Sequence, residues 1–226
     1  MSSKESVAEP AQASLISPLN LEPPAPMDRA LPLKLGVLAS GSGTNFEAIA
    51  RAIAQHRLHA QIQGLIYNNP GAKAAQRAQD WNIPTRLINH RHYANRETFD
   101  QVVVETLRDL EVEWVVMAGW MRRATPVLVD AFAGRMLNIH PSLLPSFPGI
   151  RAVEQALAYG VKITGCTVHW VSLDVDSGPI LIQAAVPIYP DDTADSLHQR
   201  IQVQEHRIIV KALTLVAQHH NAVPCR

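Results

Sequence analysis

Apolar and polar positions alternate along this chain in two rhythms that change places every ten to twenty residues. Short apolar runs of strand length at Leu33 to Ala39, Ile62 to Tyr67, Thr85 to Leu87, Trp114 to Ala118 and Met136 to His140 are separated by stretches with a helical period. Those stretches are about Phe46 to Ile53, Gly71 to Trp81, Asn95 to Leu110 and Pro126 to Phe132. Runs such as Val115-Val116-Met117-Ala118 are apolar on both faces, as in a parallel sheet covered by helices on each side. After a helix from about Ala152 to Tyr159, the segments Thr164 to Val171 and Ile180 to Ile188 alternate and are rich in β-branched residues, which reads as an antiparallel pair. A last helix covers about Thr193 to Gln218. The pattern predicts an α/β, mostly parallel sheet with helices on both faces and an antiparallel C-terminal strand pair. It occupies residues 33–218, preceded by a disordered Pro/Ala/Ser-rich extension over 1–32 and followed by a flexible tail over 219–226.

Composition narrows the function classes. The 226 residues carry 20 basic against 20 acidic side chains, so no charge excess draws the protein to nucleic acid or to an anionic membrane. Any anion must be held by local geometry. No apolar run reaches the roughly 20 residues of a membrane span, and no basic stretch followed by an apolar block marks the N-terminus. With Cys166 and Cys225 far apart and no disulfide framework, the expectation is a cytoplasmic protein with free thiols. His219, His220 and Cys225 in the tail lack the supporting structure a metal site needs.

Three places carry candidate chemistry. Ser40-Gly41-Ser42-Gly43-Thr44-Asn45 joins the first strand to the first helix. Glycines let backbone amides approach a bound group, and a helix N-terminus adds unpaired donors, so the turn suits a phosphate. Phe46 stands where a dinucleotide fingerprint would have its third glycine, and the second strand ends in Asn68-Asn69 without an acidic ribose ligand, which favours a single phosphate over a dinucleotide. The second place is Asn138-Ile139-His140-Pro141, where a buried strand ends in an amide and an imidazole two apart, hence on one face. Both groups can handle a carbonyl under attack, and Pro141, Pro145 and Pro148 stiffen the loop that follows. The third is Asp174-Val175-Asp176-Ser177-Gly178-Pro179, where Asp176 can reach the His140 rim or simply serve the turn. His169, inside a strand, reads as a packed, hydrogen-bonded histidine, and the charges of Glu205-His206-Arg207 read as a solvated helix face.

Together, Ser40 to Asn45, Met117-Ala118-Gly119-Trp120-Met121-Arg122, Asn138-Ile139-His140-Pro141-Ser142-Leu143-Leu144-Pro145 and Asp176-Ser177-Gly178-Pro179-Ile180 resemble the phosphoribosylglycinamide formyltransferases of purine synthesis. The resemblance runs from about Lys34 to Ala217, and the late Gln204-Glu205-His206 narrows it to that branch of the formyl-folate enzymes. It implies a single Rossmann-like domain and transfer of a formyl group from 10-formyltetrahydrofolate to the amine of glycinamide ribonucleotide through a tetrahedral intermediate, without a metal. It further implies Asn138, His140 and Asp176 as catalytic residues, Gly43, Thr44, Asn45 and Glu205 at the ribonucleotide, and Arg96, Met121 and Arg122 at the formyl-folate. The partners are then these two small molecules, with no nucleic acid or membrane, in a monomer or weak homodimer. Arg123-Ala124 depart from the apolar residues that relatives place there, and the N-terminal extension has no counterpart in compact members. Rival readings are a formyl-folate hydrolase, for whose regulatory domain some 32 preceding residues are too few, a methionyl-tRNA formyltransferase, which needs a further RNA-binding domain, and a non-enzymatic phosphate-binding module.

Overall fold

A computed structural model of the chain describes residues 15–17 and 31–220, with side chains as far as Ala217. Among the described residues eight strands and six helices follow one another as β1 (Ile16–Ser17), β2 (Leu33–Ala39), α1 (Thr44–Ala54), β3 (Ala60–Tyr67), α2 (Lys73–Asp80), β4 (Thr85–Leu87), α3 (Arg96–Asp109), β5 (Trp114–Met117), α4 (Pro126–Ala131), β6 (Met136–His140), α5 (Ala152–Tyr159), β7 (Ile163–Trp170), β8 (Ile180–Pro187) and α6 (Ala194–His220). A short 3-10 turn, His90–His92, precedes α3. All strands belong to one sheet in the order β1-β8-β7-β6-β5-β2-β3-β4. Strands β4, β3, β2, β5 and β6 are parallel, while β7, β8 and β1 continue the sheet antiparallel.

Helices cover the two faces with separate cores. One face buries Phe46 and Ile49 of α1 and Ile201, Ile208 and Leu213 of α6 against Leu35, Val37 and Val168. The other buries Phe99, Val103 and Leu107 of α3 and Leu128 of α4 against Leu38, Ile66 and Val115. Central strands are therefore buried on both sides, which is why their sequences are apolar without alternation. Helix α3 begins where the Asn95 side chain accepts the Thr98 N–H at 2.8 Å, satisfying a donor that the helix itself cannot pair.

One segment departs from the expected layout. Leu15–Ser17 lies within the stretch expected to stand outside the fold, yet Ile16 and Ser17 pair with Ala184 and Gln183 of β8, and Ile16 is buried. The physical reason is the open edge of β8: its backbone groups accept a short extended segment, and Ile16 covers apolar surface beside them. The rest of the expected extension, residues 1–14 and 18–30, the side chains of His219 and His220, and residues 221–226 with Cys225 lie outside the described residues. No helix among those described is long and apolar enough to cross a membrane.

The chain order sends β3 and β4 to one side of β2, and β5 and β6 to the other. The loops leaving β2 and β5 diverge at that point, opening a crevice at the carboxyl ends of the parallel strands.

Candidate active site

The glycine loop leaves β2 at this crevice with its carbonyl oxygens turned inward. Ser40 O accepts from Asn69 Nδ2 at 3.0 Å, Gly41 O from the Ala74 N–H at 3.1 Å, and Ser42 O from Arg77 Nε at 2.9 Å. Gly43 caps α1 with φ 74°, and a Cβ there would lie 2.7 Å from Ala74, so both its backbone angle and its neighbour require glycine. Among the described residues no side chain caps the first turn of α1. With the acceptors occupied and the cap donors open, the loop presents N–H groups at a positive helix end, the arrangement an anion needs. A second set of bonds ties this loop to the end of β5: Ser40 N–H donates to Gly119 O at 3.0 Å, and Ser40 Oγ accepts the Met121 N–H at 2.8 Å.

Strand β6 brings Asn138 and His140 to the same rim, on one face as their spacing predicts. Over them folds the loop between β7 and β8. Its return is tight, because a Cβ on Gly178 would run into the Trp170 carbonyl. Asp176, with φ 51°, is thereby held above β6 in a left-handed conformation that aspartate tolerates better than most residues. Its Oδ2 lies 3.3 Å from His140 Nδ1 and accepts the Gly149 N–H at 2.7 Å, while its Oδ1 accepts from Asn138 Nδ2 at 3.2 Å. The other ring nitrogen of His140, Nε2, faces Phe147 O at 2.9 Å. Burial of Asp176 alone would raise its pKa. The nearby His169 ring, the hydrogen bond from the Gly149 N–H and the His140 ring together outweigh that and hold it below the ordinary carboxylate value.

The sequence reading missed one member of this cluster. His169 is indeed packed and hydrogen-bonded, but its partners are the site itself: it sits directly across from Asn138 in the β6–β7 register. Its Nε2 lies 3.1 Å from Asn138 Nδ2 and 3.7 Å from Asp176 Oδ1, and its Nδ1 faces Trp170 O at 2.8 Å. A register shift in the β7–β8 pairing at Val168/His169 re-aims the strand there. Both hydrogens of the Asn138 amide are thus directed at Asp176 and His169.

The proline loop is held from below. Thr167 Oγ1, fully buried, donates to Ser142 O at 2.7 Å and accepts from the Leu144 N–H at 3.1 Å and from Gln183 Nε2 at 2.9 Å. Gln183 Nε2 also donates to Leu144 O at 2.9 Å. These bonds fix the segment that carries Phe147 O and Gly149 N.

Helix α6 supplies the remaining wall. Glu205 is buried, not solvated as its helix pattern suggested, and Oε2 accepts from Asn45 Nδ2 at 3.1 Å. Burial pushes its carboxyl up to about 7, against the lowering effect of the Asn45 bond. Asn45 Oδ1 is buried with no hydrogen-bond partner among the described residues.

A cavity of about 390 Å³ joins these parts: the glycine loop with Gly43, Thr44 and Asn45, the Asn138–His140–Asp176 cluster, Glu205, and a wall with Met121, Arg122 and Arg123. That volume is of ligand size. Arg122 is half-buried with its guanidinium 5.6 Å from the Phe99 ring centre, and Phe99 stacks on Trp120 at 5.9 Å. Thr125, which ends this segment, donates its N–H to buried Asp100 at 2.7 Å. Arg123 is exposed at the cavity's edge. Arg96 is exposed on the first turn of α3 and is not among the residues lining the cavity.

A doubly covered, mostly parallel sheet with an amide, an imidazole and a carboxylate converging beside its topological switch point defines an α/β enzyme built to act on a polar group beside an anion loop. The chain belongs to the formyl transferase family, whose pattern matches residues 33–213. It is similar to the phosphoribosylglycinamide formyltransferase of Bacillus subtilis, 43% identical over 174 residues that cover 77% of this chain and 89% of that one. It is also similar to the human trifunctional purine biosynthetic protein adenosine-3, 44% identical over 184 residues, of whose length the chain spans 18%. Among solved structures, glycinamide ribonucleotide transformylase 1 of Symbiobacterium toebii superposes with a TM-score of 0.83 at 41% identity, covering 84% of this chain and 90% of that one.

Proposed function

We propose that the chain transfers the formyl group of 10-formyltetrahydrofolate to the primary amine of glycinamide ribonucleotide. The observation that carries this reading is the single cavity running from the glycine loop and Glu205 to the Asp176–His140–Asn138 cluster and on to the Met121–Arg122 wall. A phosphorylated amine and a formyl donor can meet there with the reacting carbon beside the cluster. The phosphate sits on the N–H groups of Gly43, Thr44 and Asn45, and the Glu205 carboxylate takes the amine end. Met121 and Arg122 flank the folate, and Arg96 meets only a part of it that extends beyond the cavity.

The formyl-folate supplies the carbon that the amine attacks, giving a tetrahedral intermediate with a negative oxygen. His140 carrying both ring protons donates Nδ1–H to Asp176 and turns Nε2–H from Phe147 O to that oxygen. Asn138 redirects one amide hydrogen from its resting bonds to the same place, as catalytic bonds often do once substrate is bound. One proton leaves the attacking amine and one reaches the departing folate nitrogen. Asp176 and a water molecule relay it, so formation of one C–N bond and cleavage of the other balance. His169 holds the Asn138 amide during this exchange.

The test is a steady-state assay with glycinamide ribonucleotide and formyl-folate, following both products. Formyl transfer is expected, and Asn45→Ala and Glu205→Ala should each raise the KM for the ribonucleotide roughly tenfold to a hundredfold, the worth of a charged hydrogen bond, with formyl-folate binding preserved. Rapid hydrolysis of formyl-folate without any ribonucleotide, unchanged by both variants, would replace this reading with a hydrolase.

A further inference from the structure

Between β5 and α4 the chain runs from Ala118 to Thr125 without helix or strand, and Met121, Arg122, Arg123 and Ala124 of this stretch all line the cavity. A stretch without a repeating ladder of backbone bonds takes its shape from the elements that hold it. On one side the glycine loop holds it, where Ser40 Oγ accepts the Met121 N–H. On the other side stands the start of α3. Phe99 stacks on Trp120 and lies beneath the Arg122 guanidinium, and Asp100, the next residue of the helix, accepts the Thr125 N–H at 2.7 Å. Asp100 is buried and is not among the residues lining the cavity. Burial pushes its pKa up, against the lowering effects of Thr125 and of the Arg122 guanidinium. Arg122 Nε is itself buried with no hydrogen-bond partner among the described residues, so a ring and a nearby charge hold this guanidinium where hydrogen bonds do not. An apolar residue would fill the α3–α4 core at lower cost than a carboxylate. What only the carboxylate supplies is a fixed point for the Thr125 N–H.

We propose that Asp100 is a positioning residue for the formyl donor: from α3 its carboxylate fixes the Met121–Ala124 wall of the cavity by anchoring the Thr125 N–H, and it touches neither substrate. The inference rests on the formyl-folate reading above and adds to it a residue outside the cavity. With Ser40 holding one end of the wall and Asp100 the other, the segment has one shape before any ligand arrives.

The experiment measures KM and kcat for both substrates, formyl-folate affinity by calorimetry and amide hydrogen exchange in Asp100→Ala and Asp100→Asn. Leu107→Ala is the control, because it opens the core of the same helix about two turns further on. Asp100→Ala is expected to weaken formyl-folate binding and raise its KM roughly fivefold to fiftyfold, about the range of one hydrogen bond to a charged group, with the ribonucleotide KM within about twofold. Exchange of the Thr125 amide should quicken while the amides of β5 keep their protection. Asp100→Asn keeps an acceptor for the N–H and loses the charge, so its formyl-folate KM should lie about twofold to fivefold above that of the wild type. As a change that preserves shape, it carries the test if the alanine variant does not fold. Leu107→Ala should lower the melting temperature without this selectivity between substrates. The proposal is overturned if every folded Asp100 variant leaves the formyl-folate affinity unchanged, or raises both KM values together. A wild type that binds no formyl-folate would overturn the function reading itself, and that measurement tells the two failures apart.

Discussion

Asp176 Oδ2 stands 3.3 Å from His140 Nδ1 while accepting the Gly149 N–H at 2.7 Å, so a single carboxylate oxygen joins the end of β6, the proline loop and the β7–β8 turn. In the proposed reaction this aspartate orients the His140 ring and leaves Nε2 for the substrate. His140→Ala and Asp176→Asn are each expected to lower turnover by at least roughly a hundredfold, the usual worth of one oxyanion-stabilising group. Both proteins should keep the wild-type circular dichroism spectrum. Near wild-type turnover in either one would remove that residue from the mechanism.

Two glycines of one loop should behave differently. Gly43→Ala places a methyl group 2.7 Å from Ala74 at a backbone angle of 74°, so it should cost about 2 kcal/mol or more and raise the ribonucleotide KM by distorting the cap of α1. Gly41→Ala meets nothing within 4 Å and should shift stability by under about 1 kcal/mol. Urea unfolding of the two variants gives the comparison, and equal costs would show that Ala74 yields freely.

What could be read from the chain alone was whatever is written locally. Strands β2, β4 and β6 and helix α5 begin and end where apolar period, glycine and proline place them, and Asn138 and His140 share a face because two residues make one strand repeat. The parts that escaped depend on distant pairings. His169 joins the site through a register with Asn138 that no local pattern encodes. For Glu205 the helical pattern alone gave one charge on an amphipathic face, the family resemblance placed it at the ribonucleotide, and it is the packing of α1 on α6 that buries it against Asn45. Ile16 and Ser17 form a strand too short for any period to mark, made by the free edge of β8 rather than by their own propensity.

Glu205 ties stability to pH in an unusual direction for a carboxylate. Its folded-state pKa of about 7 lies above the ordinary 4.5, so the folded protein holds this proton more tightly than the unfolded chain does. Its contribution is therefore fully present below about pH 4.5 and is lost as pH rises toward 7, by on the order of 3 kcal/mol in all. Glu205→Gln should remove this component. At pH 8 it should unfold at a higher temperature than the wild type by several degrees, with the gap closing on acidification. Parallel melting curves across that window would contradict the assignment of a strained, ionised Glu205 at high pH.

Thr167 links the sheet to the chemistry without touching it. Replacement by valine keeps the shape but removes the donor to Ser142 O and the acceptor for the Leu144 N–H and Gln183 Nε2, leaving buried polar groups unpaired. The expected cost is about 1 to 3 kcal/mol, seen as a lower melting temperature. Turnover per folded molecule should fall as well, because the loop released is the one whose Phe147 O and Gly149 N hold His140 and Asp176 in place. Thr167→Ser, which keeps the hydroxyl, should restore turnover more completely than stability, since it lacks only the methyl group. A valine variant that melts early yet turns over normally at low temperature would show that the cluster is held by the strands alone, independent of the proline loop.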